Sequence, residues 1–179
     1  MIHLATATRG LLVLPVLSLF VAVAPLVGQE APEPTRIWLG VGLAVGGSTE
    51  WGGFGPTVNA VWQRGPHRAA IRAGGLFDFT GFPDSGSDDS VAELALLYGR
   101  SAANSFGSVA IGAGAAAVTF HGCPDGSAIR CVTIGLPLFA EAALQSKVMG
   151  IGIQAFGNLN PRSSFGGVAL VLHLGWMPR

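Results

Sequence analysis

The chain has 179 residues, 50% of them hydrophobic and only 11% charged, with a formal net charge of +0. That composition excludes a disordered chain, and the charge balance excludes an electrostatic nucleic-acid binder. With 27 glycines against 8% aromatics, it suits closely packed strands better than helices, where each interior glycine costs about 1 kcal/mol relative to alanine.

The first residues form a separate object. Arg9 ends a short basic region, and Leu11 to Val27 is an uncharged apolar run, the form of a secretory signal peptide. Residues 1–29 are therefore expected to be the leader, with cleavage between Ala24 and Gln29; the alternative is a retained anchor. A Pro-rich lead over 30–35 precedes a domain at 36–179.

Runs of period-two alternation, bounded by Gly, Pro, Asn, Asp and Ser clusters, divide that domain into eight strands. The first runs from Arg36 to Gly46, with Ile37, Leu39, Val41, Leu43 and Val45 on one face. After a loop at Gly47 to Phe54 comes Pro56 to Gln63, a tight turn at Arg64 to Pro66, and a third strand from His67 to Phe79. The segment Thr80 to Asp89, rich in Gly, Pro and Asp, is a loop. The fourth strand is Ser90 to Gly99 and Arg100 to Phe106 a polar turn. Two long strands then span Ser108 to Gln145 and are joined by a polar loop between the only two cysteines. The last two strands are Val148 to Phe156 and Phe165 to Met177, with a loop from Gly157 to Ser164.

The two faces of these strands are unlike those of a soluble sheet. Val132, Ile134, Leu136, Leu138, Ala140, Ala142 and Leu144 share one face of the sixth strand, whereas Thr133, Gly135, Glu141 and Gln145 share the other. Apolar outside with small or polar inside is the pattern of a strand that faces lipid and encloses a lumen. The fold expected is all-β, an eight-stranded antiparallel up-and-down transmembrane barrel preceded by a signal peptide. Connections after the first, third, fifth and seventh strands are the longer ones, which places the short turns and both termini on the periplasmic side. Arg100 to Phe106 fits that asymmetry least. Trp62, Tyr98 and Trp176 then fall outward at the periplasmic rim and Phe77 and Phe79 at the opposite rim, as aromatic girdles do.

Charge placement fixes the register. Arg68, Arg72, Asp78, Glu93 and Glu141 all lie on the non-apolar face, and an Arg at the lipid midplane would cost about 2–4 kcal/mol. In a narrow lumen such groups must pair. Counted from the periplasmic rim, Arg72 and Glu141 reach similar heights and His173 sits lower, so a cross-lumen cluster of Arg72, Glu141 and His173 is expected, joined by Arg68 or Glu93. Its structural role is a polar plug; a proton-sensitive or narrow solute pore is the alternative. A hydrolytic triad on His173 and Glu141 would need a Ser beside the His on the lipid face, where Leu172 and Leu174 stand instead. No catalytic residue, cofactor or metal site is expected. Cys123 and Cys131, separated by Pro, Asp and Gly turn formers, favour a local disulfide in an oxidising compartment, contributing about 2.5 kcal/mol.

From about Arg36 onward, these features resemble the small eight-stranded outer-membrane barrels of the OmpX or OmpA-transmembrane type. The final strand, with Gly167 and then Leu170, Leu172, Leu174 and Trp176 at alternate positions, resembles their assembly signal; Met177, Pro178 and Arg179 then follow, where such barrels finish on an aromatic residue. The resemblance implies a bacterial outer-membrane protein with a structural, adhesive or protective role. Its implied partners are outer-membrane lipids and the barrel-assembly machinery. An extracellular partner at the outer loops, which bear Trp51, Phe54 and Phe82, is left open by the sequence, with Trp51 and Phe82 reading equally as adhesive or as girdle residues. Two rivals belong to other classes. A soluble lipocalin-like ligand-binding barrel would need more exterior charge, and a helical membrane protein, suggested by a mean hydropathy of +0.53, would need unbroken spans of about 20 apolar residues.

Overall fold

The computed structural model describes residues 34–49, 51–78, 90–121 and 130–176. The expected leader at 1–29, most of the Pro-rich lead, Phe79 and Cys123 lie outside the described residues. The strands are β1 (Arg36–Gly47), β2 (Gly52–Arg64), β3 (His67–Asp78), β4 (Ser90–Ala103), β5 (Gly107–His121), β6 (Arg130–Gln145), β7 (Met149–Leu159) and β8 (Phe165–Gly175). Each pairs antiparallel with the next, and β1 returns to β8, closing an eight-stranded barrel in chain order. In lipid every backbone N–H and C=O must find a partner within the protein, and closure leaves no edge unpaired.

The wall alternates without a break. Along β2 every second residue is exposed, from Gly52 through Phe54, Val58 and Trp62 to Arg64, and the intervening ones are buried. Large apolar side chains stand outside: Leu43, Leu96 and Ile134 are 68%, 64% and 78% exposed. That exterior contradicts the lipocalin-like alternative, which requires the greasy face within. No helix among the described residues is long and apolar enough to cross a membrane, and the closed sheet replaces the helical rival.

Strand ends differ from the sequence expectation in two informative places. First, β2 begins at Gly52 rather than Pro56, because Val45 pairs Phe54 and Gly47 pairs Gly52, leaving only 48–51 as the connection. The glycines there look like turn formers, yet they let backbones meet closely: a Cβ on Gly46 would lie 2.3 Å from the Gly166 carbonyl oxygen. Second, β4 continues through Arg100 to Ala103, so the turn is 104–106. Asn104 closes it by accepting from the Phe106 and Gly107 amides at 2.9 Å each. Arg100 to Ala103 pair with Ile111 to Ser108. The connection that fitted the short-turn rule least is therefore short. The β2–β3 turn is Gly65 and Pro66, with φ 57° at Gly65, as a two-residue hairpin with glycine at its first central position requires.

Two prolines interrupt the ladders without shifting register. The β2–β3 pairing skips from Phe54↔Phe77 to Thr57↔Gly74 around Pro56, and the β5–β6 pairing skips from Ala113↔Leu138 to Ala116↔Gly135 around Pro137. Proline has no N–H to give.

Leu170 on β8 pairs Leu43 of β1 and Ile153 of β7 near mid-wall and is exposed. Leu170→Arg is expected to destabilise the barrel by about 2–4 kcal/mol, measured as the urea midpoint of protein embedded in vesicles. Leu170→Ala should fall well short of that loss.

Candidate functional site

All five residues of the expected lumen cluster point inward and are buried: Arg68 and Arg72 on β3, Glu93 on β4, Glu141 on β6 and His173 on β8; Asp78, of the same parity at the loop end of β3, is half-buried. The structure sorts them into two tiers whose partners differ from those inferred by counting. In the tier nearer the turns, Arg68 crosses the lumen and donates Nη1 and Nη2 to the two Glu141 oxygens at 2.8 and 2.9 Å. Gln154 donates to the same carboxylate at 3.0 Å. In the tier nearer the loops, Arg72 donates Nε and Nη2 to Glu93 Oε1 at 3.0 and 2.6 Å, and Asn158 of β7 donates to Glu93 Oε2 at 2.7 Å. Arg72 is thus the partner of Glu93 and not of Glu141. Barrel strands tilt by about 35–45° and are staggered, so equal counts from the rim on distant strands do not give equal heights.

Aromatic rings close the space around both guanidinium groups. The Arg68 Cζ lies 5.3 Å from the Trp38 ring centroid and 5.4 Å from that of Phe139, and Arg72 lies 5.5 Å from the Phe156 ring. A planar guanidinium can lay its faces on rings while its edge forks onto a carboxylate. A lysine could not fill both roles. Trp38, Phe139, Gln154 and Asn158 were not among the expected cluster members. The first three share the inward parity of the charged residues, and Asn158 would have been found by continuing the β7 alternation two residues beyond Phe156.

Glycine makes room for the amides. A Cβ at Gly40 would lie 2.2 Å from Asn59 Oδ1, and one at Gly135 would lie 2.0 Å from Asn158 Oδ1. These side chains lie flat across the neighbouring backbone, which only a residue without a side chain permits.

His173 is wholly buried, with Nε2 3.7 Å from Glu141 Oε1, and neither ring nitrogen has a hydrogen-bond partner in the protein. Trp38 Nε1, Gln154 Oε1 and both Asn59 amide atoms share that condition. Groups of this kind in a barrel interior are met by water. A separate cavity of about 30 Å³ borders Arg72 and Glu93, with Thr57, Leu76, Val91 and Phe165 among its lining, room for about two waters. The described residues contain no group of three or more His, Cys, Asp or Glu that could hold a metal ion.

At the turn end Trp62, Tyr98 and Trp176 are exposed, with Tyr98 Oη 2.6 Å from His67 Nδ1, and Phe77 is exposed toward the loop end. Cys131, the second residue of β6, is buried; the expected bridge to Cys123 falls partly outside the described residues.

No family model matches the chain, and no curated protein matches it. Solved structures do. Neisserial surface protein A, NspA, superposes with a TM-score of 0.60 at 14% identity, covering 82% of this chain and all (100%) of that one. Ail, the attachment invasion locus protein of Yersinia pestis, superposes in its complex with the heparin analogue sucrose octasulfate with a TM-score of 0.51 at 14% identity, over 79% of this chain and 97% of that one. The chain has the fold of the small eight-stranded outer-membrane barrels. At such identity the likeness concerns architecture, and the lumen tiers described above are read from this chain's own residues.

Removing one member of the Arg68–Glu141 pair strands a buried charge. Glu141→Ala is expected to cost about 3–5 kcal/mol, whereas a double exchange, Arg68→Met with Glu141→Leu, should recover most of that loss. Urea unfolding of the two variants in vesicles measures the difference.

Proposed function

We propose that the protein is an integral outer-membrane barrel that acts at the cell surface in a structural, adhesive or protective role, with a lumen closed to solutes. The observation that carries this reading is the Arg68–Glu141 pair, which spans the lumen between β3 and β6 with Trp38 and Phe139 against its guanidinium. Above it, Arg72, Glu93 and Asn158 span the lumen again. Two successive polar crossings, the first packed by Trp38 and Phe139 and the second by Phe156, support a lumen without a continuous path for a small solute. The apolar exterior supports a lipid setting, and the barrel likeness to NspA and Ail supports the bacterial outer membrane as that setting. In this reading the short turns face the periplasm, the loops face outward, and no residue has a catalytic role.

With the lumen sealed, the loop end is the part left to meet a partner. The 160–164 loop is tied by its own hydrogen bonds. Asn160 accepts from the Arg162 and Ser163 amides at 3.1 and 3.0 Å and donates to the Ser163 carbonyl at 2.9 Å. Ail, as its complex is described, binds a heparin analogue; a sulfated glycan is accordingly the first class of surface ligand to try against this chain.

The narrow-pore alternative draws on the partnerless polar atoms around His173 and Asn59, which fit an interior holding water. Gel mobility with and without boiling should give a heat-dependent shift, and planar bilayers carrying the folded protein should then show no steady conductance steps. Arg68→Ala with Glu141→Ala should create them. Steady steps from the unaltered protein would make the pore the better reading.

A further inference from the structure

The charges outside the lumen are divided between the two ends of the barrel. At the turn end stand Arg64, Arg100 and Lys147, and among the described residues no carboxylate accompanies these three there. The described acids are Asp78 at the loop end of β3 and the two lumen glutamates, and the loop end also carries Arg130 and Arg162.

Part of this charge is assembled on the outer wall. Register sets Arg64 of β2 beside His67 of β3, and His67 beside Arg100 of β4. One step into the wall, the next outward row is Trp62, Ala69 and Tyr98. The patch is therefore a basic row at the rim with an aromatic row directly behind it, and Ala69 leaves a notch between the two large rings. Trp62 and Tyr98 are exposed, and Tyr98 is held to His67 by the 2.6 Å contact and ring stacking at 6.1 Å. Beyond the notch, the β3 column continues outward as Ile71 and Ala73, both exposed toward lipid. Neither Arg64 nor Arg100 has a carboxylate partner among the described residues, and the Arg100 Nε is enclosed without any hydrogen-bond acceptor.

We infer that this patch on β2–β4 is a binding site for an anionic phospholipid of the leaflet at the turn end. The headgroup phosphate would be held by Arg64 and Arg100, and an acyl chain would lie over Ala69 between Trp62 and Tyr98. Arginine forks match phosphate oxygens, and indole and phenol rings settle at headgroup depth. A zwitterionic headgroup brings an ammonium into the same basic row. An anionic one does not.

The inference rests on reading the chain as a membrane barrel, and the test separates the two. The folded protein in detergent is first checked by its heat-dependent gel shift, then titrated with phosphatidylglycerol or phosphatidylcholine and examined by native mass spectrometry. Each surface arginine near an anionic lipid contributes about fivefold in association, so two should give a preference for phosphatidylglycerol of about thirtyfold. Arg64→Gln with Arg100→Gln should reduce that preference to about twofold or less while the gel shift persists. Lys147→Gln, at the same end but off the patch, should leave it intact. Equal binding of the two lipids by the unaltered, heat-shifting protein would overturn the inference. So would a preference that survives the double exchange, or one abolished by Lys147→Gln. Absence of the gel shift in the unaltered protein would instead overturn the membrane-barrel reading on which the inference stands.

Discussion

Closure of the sheet between β1 and β8 is the constraint from which the rest of the molecule follows. Ten consecutive register pairs, from Trp38↔Gly175 to Gly47↔Gly166, join the first strand to the last. Once the edges meet, every strand has a lipid side and a lumen side, and a residue's position in the alternation decides which solvent it sees. Most bulky aliphatic residues are thereby sent outward, and the interior combines small, polar and charged residues with a buried apolar cluster that includes Val61, Leu76, Val91, Val118 and Val171. The interior cannot be an ordinary apolar core. Ion pairs and amides share it with aromatic rings and buried aliphatic side chains.

That interior is ordered as two tiers along the barrel axis. Both are anchored on β3, through Arg68 and Arg72, and both reach β6 or β7, through Glu141 and Gln154 or through Asn158. The tiers thus brace opposite walls that share no ladder. Buried ion pairs of this kind contribute little net stability compared with well-packed apolar groups, yet they penalise any slip that would leave a charge in hydrocarbon. The glycines opposite the amides serve the same economy of space: Asn59 and Asn158 lie where Gly40 and Gly135 carry nothing.

Much of this architecture was legible from the chain, for a physical reason. A period of two survives any local ambiguity, so the faces of all eight strands and the inward placement of Arg68, Arg72, Glu93, Glu141 and His173 could be read directly. Strand ends were harder where glycine or small polar residues dominate. Gly52 to Gly55 and Ser101 to Ala103 look like turns by composition, but ladder pairs with β1 and with β5 respectively hold them extended. Pair identity inside the lumen was the least accessible, because it depends on tilt and stagger, which a linear sequence does not display. Hence Arg72 meets Glu93 across one strand boundary, while Arg68 makes the long crossing to Glu141.

One contact joins the interior to the outside. Asn160, whose side chain shapes the 160–164 loop, also donates to Asn158 Oδ1 at 3.2 Å, and Asn158 in turn donates to Glu93, which holds Arg72. The loop's form is therefore held partly by residues enclosed within the wall. An antibody raised against this end of the molecule would be reading a shape in which Glu93 and Arg72 take part without ever being touched, so its epitope extends below the surface it contacts.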